Sequence, residues 1–126
     1  MPKQVPIGAR GEAREIVDLK HTLTAHDKRL PPIYSTPNMI AVMETAGFHA
    51  LAPFCDDDEI TVGTAINIEH RAACSVGAQV HAEAVLESID GKFYILRVNA
   101  HADGREIGRG TITRAFVSMK RFSQKG

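Results

Sequence analysis

The chain has no tryptophan, only two tyrosines and two cysteines, and no surplus of either charge. Each shortage excludes something. Two cysteines, Cys55 and Cys74, cannot build a disulfide framework and form no C-x-x-C pair, so reduced thiols in a cytoplasmic protein are expected. Fifteen basic residues balance fifteen acidic ones. That leaves no electrostatic case for nucleic acid or an anionic membrane as partner. It also leaves no self-repulsion to oppose association. No apolar run is long enough to span a bilayer. The opening "MPKQVPIGARGEAREIV" lacks the apolar stretch of a signal peptide, so none is expected. P-loop, G-x-G-x-x-G and G-x-S-x-G motifs are all missing.

What is present is a chain of 126 residues, 44% hydrophobic and 24% charged, which suits one globular domain over residues 1–126. The segment "GEAREIVDLKHTLTAHD" fits a helix through Ile16, Leu19 and Leu23, or a strand through Val17, Leu19 and His21. "RLPPIYSTP" reads as a loop. Thr36-Pro37 then makes a helix start, because threonine caps and proline is tolerated in the first turn. Met39, Ile40, Val42, Met43, Ala46, Leu51 and Ala52 spread around most of that helix, which predicts burial on several sides. From Ile60 the period changes to two. "ITVGTAINIEH" predicts a strand with Ile60, Val62, Thr64, Ile66, Ile68 and His70 on the core face. "SVG" reads as a turn, and "AQVHAEAVLESI" as a strand with Val80, Ala82, Ala84 and Leu86 inward. Asp90-Gly91 and Asp103-Gly104 read as hairpin turns around "KFYILRVNAHA". "REIGRGTITRAFVSMKRF" is the last strand, and its Gly108 and Gly110 suggest a bulge or a close approach. One apolar helix followed by a four-stranded antiparallel meander is an α+β arrangement.

Glu44 is the one acid between Pro37 and Cys55. A carboxylate left ionised among apolar groups costs several kcal/mol unless it is paired. The plain alternative is a surface glutamate reaching water. Against that, Ile40, Ala41, Gly47 and Phe48 offer no charge at helical neighbour spacing. His70 ends the expected inward face of its strand; alone, it reads as a core or strand-end histidine. Pairing it with Glu44 would satisfy both groups and make an acid–base couple suited to neutral pH. Thr36 reads first as a cap, and a hydroxyl at a helix start can also hold a carbonyl oxygen. Pro37 has no N–H, so backbone donors at this helix start are expected from Asn38 onward. The acidic run 56–59 reads as a solvated loop, and His70 with Cys74 are too few ligands for zinc. The remaining histidines read as surface residues, and no metal site is expected.

These residues lie in a sequence that resembles the hotdog-fold acyl-CoA thioesterases, specifically the fluoroacetyl-CoA thioesterase-like branch. The resemblance spans nearly the whole chain. It is carried by S-T-x-x-M-x-x-x-M-E from Ser35 to Glu44, by "VGTAINIEHRAA" from Val62 and by "LRVNAHADGREIGRGTITRA" from Leu96. It implies a curved sheet around the central helix, with the N-terminal segment as a strand. It implies Thr36, Glu44 and His70 as catalytic residues, Gly63 in the active site and Arg114 near the acyl pocket. It further implies coenzyme A thioesters as substrates, no metal or prosthetic group (coenzyme A being part of the substrate), and a homodimer with two interfacial sites or a higher homo-oligomer built from it. The fluoroacetyl-specific enzyme of the branch carries a phenylalanine lid before the threonine. Here "KRLPPIYST" has Leu30 in that place, with Tyr34 the nearest aromatic. A different or broader acyl range is therefore expected, with Leu30, Ile33, Tyr34 and Met39 as pocket walls.

Thioester hydrolysis then assigns Glu44 as base for water or as direct nucleophile through an anhydride. His70 would orient it and handle the proton to sulfur, and Thr36 would hydrogen-bond the carboxylate or the thioester oxygen. Two other readings compete. A non-catalytic hotdog module would bind the thioester intact. An enoyl-CoA hydratase would need a neighbouring Asp and His, which His49 and Asp56 imitate poorly.

Overall fold

The computed structural model describes residues 3–121. Strand β1 is Arg10–Ile16, helix α1 is Thr36–Leu51, and strands β2 to β5 are Glu59–His70, Gln79–Asp90, Phe93–Ala102 and Arg105–Ser118. They form one antiparallel sheet in the order β1-β3-β4-β5-β2. The expected four-stranded meander is thus corrected. Only β3-β4-β5 is a meander, while β2 lies at the far edge against β5. Residues 71–78 are too many for a tight turn and run instead along the loop before α1. There Ile33 bridges Ser75, and Tyr34 N–H donates to the Cys74 carbonyl at 2.8 Å.

The ambiguous N-terminal segment divides. Its first half is β1. Leu19–His21 and Leu23–Ala25 are single 3-10 turns, the first started by Asp18, whose carboxylate accepts from Leu19 N–H at 2.7 Å. The Asp103-Gly104 turn is as expected: both residues have positive φ, 54° and 74°, the two-residue turn whose twist matches the flanking strands. The first hairpin turn is Gly91-Lys92, one residue later than expected.

The core lies between α1 and the concave face of the sheet. Val80, Ala82, Ala84, Leu86, Leu96 and Val98 are all 1% exposed or less, as the alternation in β3 predicts. The helix packs most heavily on β1, and Gly11 is what permits the approach. A Cβ there would sit 2.3 Å from both the Ala46 carbonyl oxygen and the Ala50 nitrogen. Gly108 and Gly110 mark close approaches as well, to Met39 and to the backbone of Asn67. The helix is not buried all round: Pro37, Ala41, Thr45 and Phe48 form an exposed stripe, and Glu44 lies at its margin. Among the described residues no helix is long and apolar enough to cross a membrane.

One irregularity shapes the site. Gly63 pairs with Arg114 and Ala65 with Thr113, so Thr64 is an extra residue in β2. A bulge of one residue reverses the parity of a strand. Before it, Thr61 is 3% exposed and Gly63 faces Glu44. After it, Ile66, Ile68 and His70 stand opposite Ile112, Gly110 and Gly108 on the helix side. The expected inward face therefore holds for Ile68 and His70, is met in direction only by Ile66, which stays half exposed, and fails for Ile60, Val62 and Thr64.

Candidate active site

The helix start is capped by Ser35, not Thr36. Ser35 is fully buried, and its hydroxyl accepts from Asn38 N–H at 3.3 Å while its carbonyl accepts from Met39 N–H at 3.1 Å. Two consequences follow. The N–H groups of Asn38 and Met39 are engaged and leave the set of expected oxyanion donors. And the Thr36 hydroxyl is free to meet His70 Nδ1 at 2.8 Å. On the other side of that ring, Nε2 is buried with no hydrogen-bond partner among the described residues. Desolvation lowers the His70 pKa, against a smaller opposing effect of the Ala72 backbone, so the imidazole is neutral at pH 7. With its proton on Nε2, the Thr36 hydroxyl donates to Nδ1. With the proton on Nδ1, the ring donates to Thr36 and Nε2 offers a lone pair. In both tautomers Nε2 is the atom left unspent.

Glu44 takes a different partner. Its Oε1 accepts from Arg114 Nη1 at 3.1 Å. Arg114 is 6% exposed and is held from behind by Thr61. Nε donates to the Thr61 hydroxyl at 2.9 Å and Nη2 to the Thr61 carbonyl at 2.7 Å. The Phe48 ring lies 5.9 Å from the guanidinium carbon, a cation–π distance. The second carboxylate oxygen, Oε2, lies over Gly63, where a Cβ would be only 2.4 Å away. It accepts no hydrogen bond among the described residues. The group opens into a hollow of about 370 Å³ bounded by Glu44, Thr45, Phe48, Thr61, Gly63 and Arg114.

The structure thus brings Thr36 to His70, and Glu44 to Gly63 and Arg114. The expected Glu44–His70 pair is not formed within the chain. Thr36 and Glu44 do share a helix, but eight residues of rise separate their Cα atoms by about 12 Å. Of the expected pocket walls, Leu30 is 41% exposed and Ile33 bridges the 71–78 segment. Tyr34 is corrected from wall to anchor. It is 1% exposed, and its hydroxyl donates to Glu15 Oε2 at 2.5 Å, while His21 Nε2 lies 3.3 Å from the other oxygen of the same carboxylate. Burial first, and the Glu15 bond second, raise the Tyr34 pKa far above the ordinary phenol value. Met39 is wholly buried beneath Gly108, the ladder partner of His70, and belongs to the core. Sequence reading missed Thr61, Glu15 and His21. Strict alternation puts Thr61 opposite the core face because it does not show the bulge, and the Glu15–His21–Tyr34 set spans segments whose meeting no local pattern announces.

Five antiparallel strands curled around one long helix define a hotdog fold, and solved structures agree. A structure of the fluoroacetyl-CoA thioesterase matches with a TM-score of 0.88 at 31% identity, over 98% of this chain and 96% of that one. A thioesterase-superfamily protein from Thermus thermophilus matches with a TM-score of 0.89 at 24% identity, over 97% and 90%, which speaks to the fold alone. The fluoroacetyl-CoA thioesterase of Streptantibioticus cattleyicolor is 38% identical over 95 residues, 75% of this chain and 68% of the relative. The model of the fluoroacetyl-CoA-specific thioesterase family matches residues 17–120. The chain belongs to that family, and it is a thioester hydrolase.

Proposed function

We propose that the protein hydrolyses an acyl-CoA thioester to free acid and coenzyme A, using Thr36, Glu44 and His70 and working as a homodimer without metal or prosthetic group. The carrying observation is Glu44. One oxygen is held by a buried arginine and the other, uncommitted among the described residues, stands above a residue with no side chain. That free oxygen can take a proton from water attacking the carbonyl, or can attack the carbonyl itself and form an anhydride for water to open. His70, with its own proton on Nδ1 and directed at Thr36, receives at the Nε2 lone pair the proton that the attacking water releases and passes it to the departing thiolate, so the ring is neutral before and after. With the helix N–H groups spent on the cap, the Thr36 hydroxyl and the β2 backbone beside Gly63 are the donors left for the oxyanion.

Because Thr36–His70 and Glu44 do not meet within one chain, the reading calls for two. β2 is an edge strand, and its residues 63–67 are exposed. An antiparallel pairing of two β2 strands about a two-fold axis near Ala65–Ile66 would set Gly63 opposite the partner's Ile68 or Glu69. The Glu44 carboxylate would then stand beside the partner's His70. Ile66, half exposed, and the exposed stripe of α1 would be covered in the same step. Leu30 in place of an aromatic lid favours an acyl range broader than fluoroacetyl. The two reduced thiols suit a cytoplasmic location.

Thiol release from fluoroacetyl-, acetyl-, longer-chain and aromatic acyl-CoAs tests the activity, with Glu44→Gln, His70→Ala and Thr36→Ala as variants. Unchanged rates in all three overturn the assignment. Mixing unfolded Glu44→Gln and His70→Ala chains and refolding them together tests the shared site. Half the dimers would be mixed and each would carry one intact site, so about a quarter of the wild-type rate returns. No recovery would place both groups in one chain's site.

A further inference from the structure

We infer that Thr61 is a positioning residue that aims the Glu44 carboxylate through Arg114. The inference rests on the reading of Glu44 as the reacting carboxylate. Arg114 is a nearly buried cation whose only carboxylate contact among the described residues is a single N–H···O bond at 3.1 Å. Such a contact alone leaves both groups free to turn. Thr61 removes that freedom by gripping two edges of the planar guanidinium, Nε by its hydroxyl and Nη2 by its carbonyl. With those two points fixed, the direction of Nη1 is fixed, and with it Oε1 of Glu44. The guanidinium carbon lies over the Phe48 ring. Thr61 and Gly63 are neighbours on the helix-facing side of β2 ahead of the bulge. One strand segment therefore supplies both the grip behind the arginine and the clearance beneath Oε2. Thr61 is 3% exposed, so solvent does not replace its hydroxyl when that is removed.

Thr61→Val keeps the size and the carbonyl but removes the Nε acceptor. A buried cation with an unmatched N–H turns to find another acceptor, and Nη1 turns with it. The expected result is a fall in kcat of about 10-fold with KM changed by less than about 2-fold, since misplacement by a fraction of an ångström acts on the chemical step. Thr61→Ser, which retains the hydroxyl, restores the rate. In a Glu44→Gln background, Thr61→Val adds no further loss, because the group it aims has already been disabled. A wild-type kcat in folded Thr61→Val, a loss confined to KM, or a loss that adds fully to that of Glu44→Gln each overturns the inference. If Thr61→Val does not fold, Arg114→Lys decides, since it keeps the charge and loses the fork: a wild-type kcat there overturns it equally. A normal Thr61→Val beside an inactive Glu44→Gln sinks this inference alone, whereas a fully active Glu44→Gln sinks the catalytic reading beneath it.

Discussion

Gly63→Ala places one methyl group against the proposed reacting atom. Its Cβ would lie 2.4 Å from Glu44 Oε2, 3.1 Å from Cδ and 3.2 Å from Oε1. The first distance is about 1 Å short of ordinary contact. The clash falls on the far end of a side chain and not on backbone, so the fold survives. The carboxylate has to move by most of that shortfall, and the movement works against its bond to a guanidinium that Thr61 holds still. A displacement near 1 Å at a reacting group is worth about 100-fold in rate, whereas a weakened, partly exposed charged hydrogen bond costs about 1 kcal/mol of stability. Gly63→Ala is therefore expected to lose about 100-fold in kcat/KM for thiol release while its urea midpoint shifts only slightly. A variant with wild-type kcat/KM would show that Oε2 does not stand at the reacting centre. A variant that unfolds would show that the helix cannot yield, and that the clash was read on the wrong atoms.

The other expectations concern the frame and the histidine. Gly11→Ala sets a methyl group against backbone atoms of α1 at 2.3 Å, which no rotamer relieves, and should cost about 3 kcal/mol or more in denaturant unfolding; an unchanged midpoint would contradict the helix–strand contact. Tyr34→Phe removes the bond to Glu15 behind the loop that leads to Thr36 and should lower stability by about 1–2 kcal/mol, with a wild-type midpoint telling against the anchor. His70 has a lowered pKa in the folded state, so the unfolded chain binds its proton first as pH falls. Its contribution to stability is complete above pH 6.5, the ordinary value, and is lost as pH drops through the lower folded value. His70→Gln should flatten this part of the stability curve, and an unaltered slope would assign it to other groups.

Much of the frame was legible because it is local. The apolar run from Met39, the alternation in β3 and the Asp103-Gly104 turn each follow from spacing within one segment, and each stands where the sequence placed it. Of the candidate site the sequence offered residues but not their partners. The cap is ambiguous because Ser35 and Thr36 are both good caps by chemistry, and nothing local says which one faces the helix N–H groups. His70 does stand on the inward face, but the parity that predicts it is overturned by the bulge at Thr64 for the first half of its strand. The same bulge hid Thr61, and with it the grip on Arg114.

By itself, then, the sequence determined most of the segments and the Asp103-Gly104 turn, because side-chain period and turn preference act over a few neighbouring residues. Tertiary structure alone decided the order of the strands, the phase of β2 and the partners of the polar groups. Those choices are made between residues far apart in the chain, with Thr36 meeting His70 across 34 positions and Glu44 meeting Arg114 across 70. A carboxylate with several possible partners takes the one that packing brings within reach, and no local pattern records which that will be.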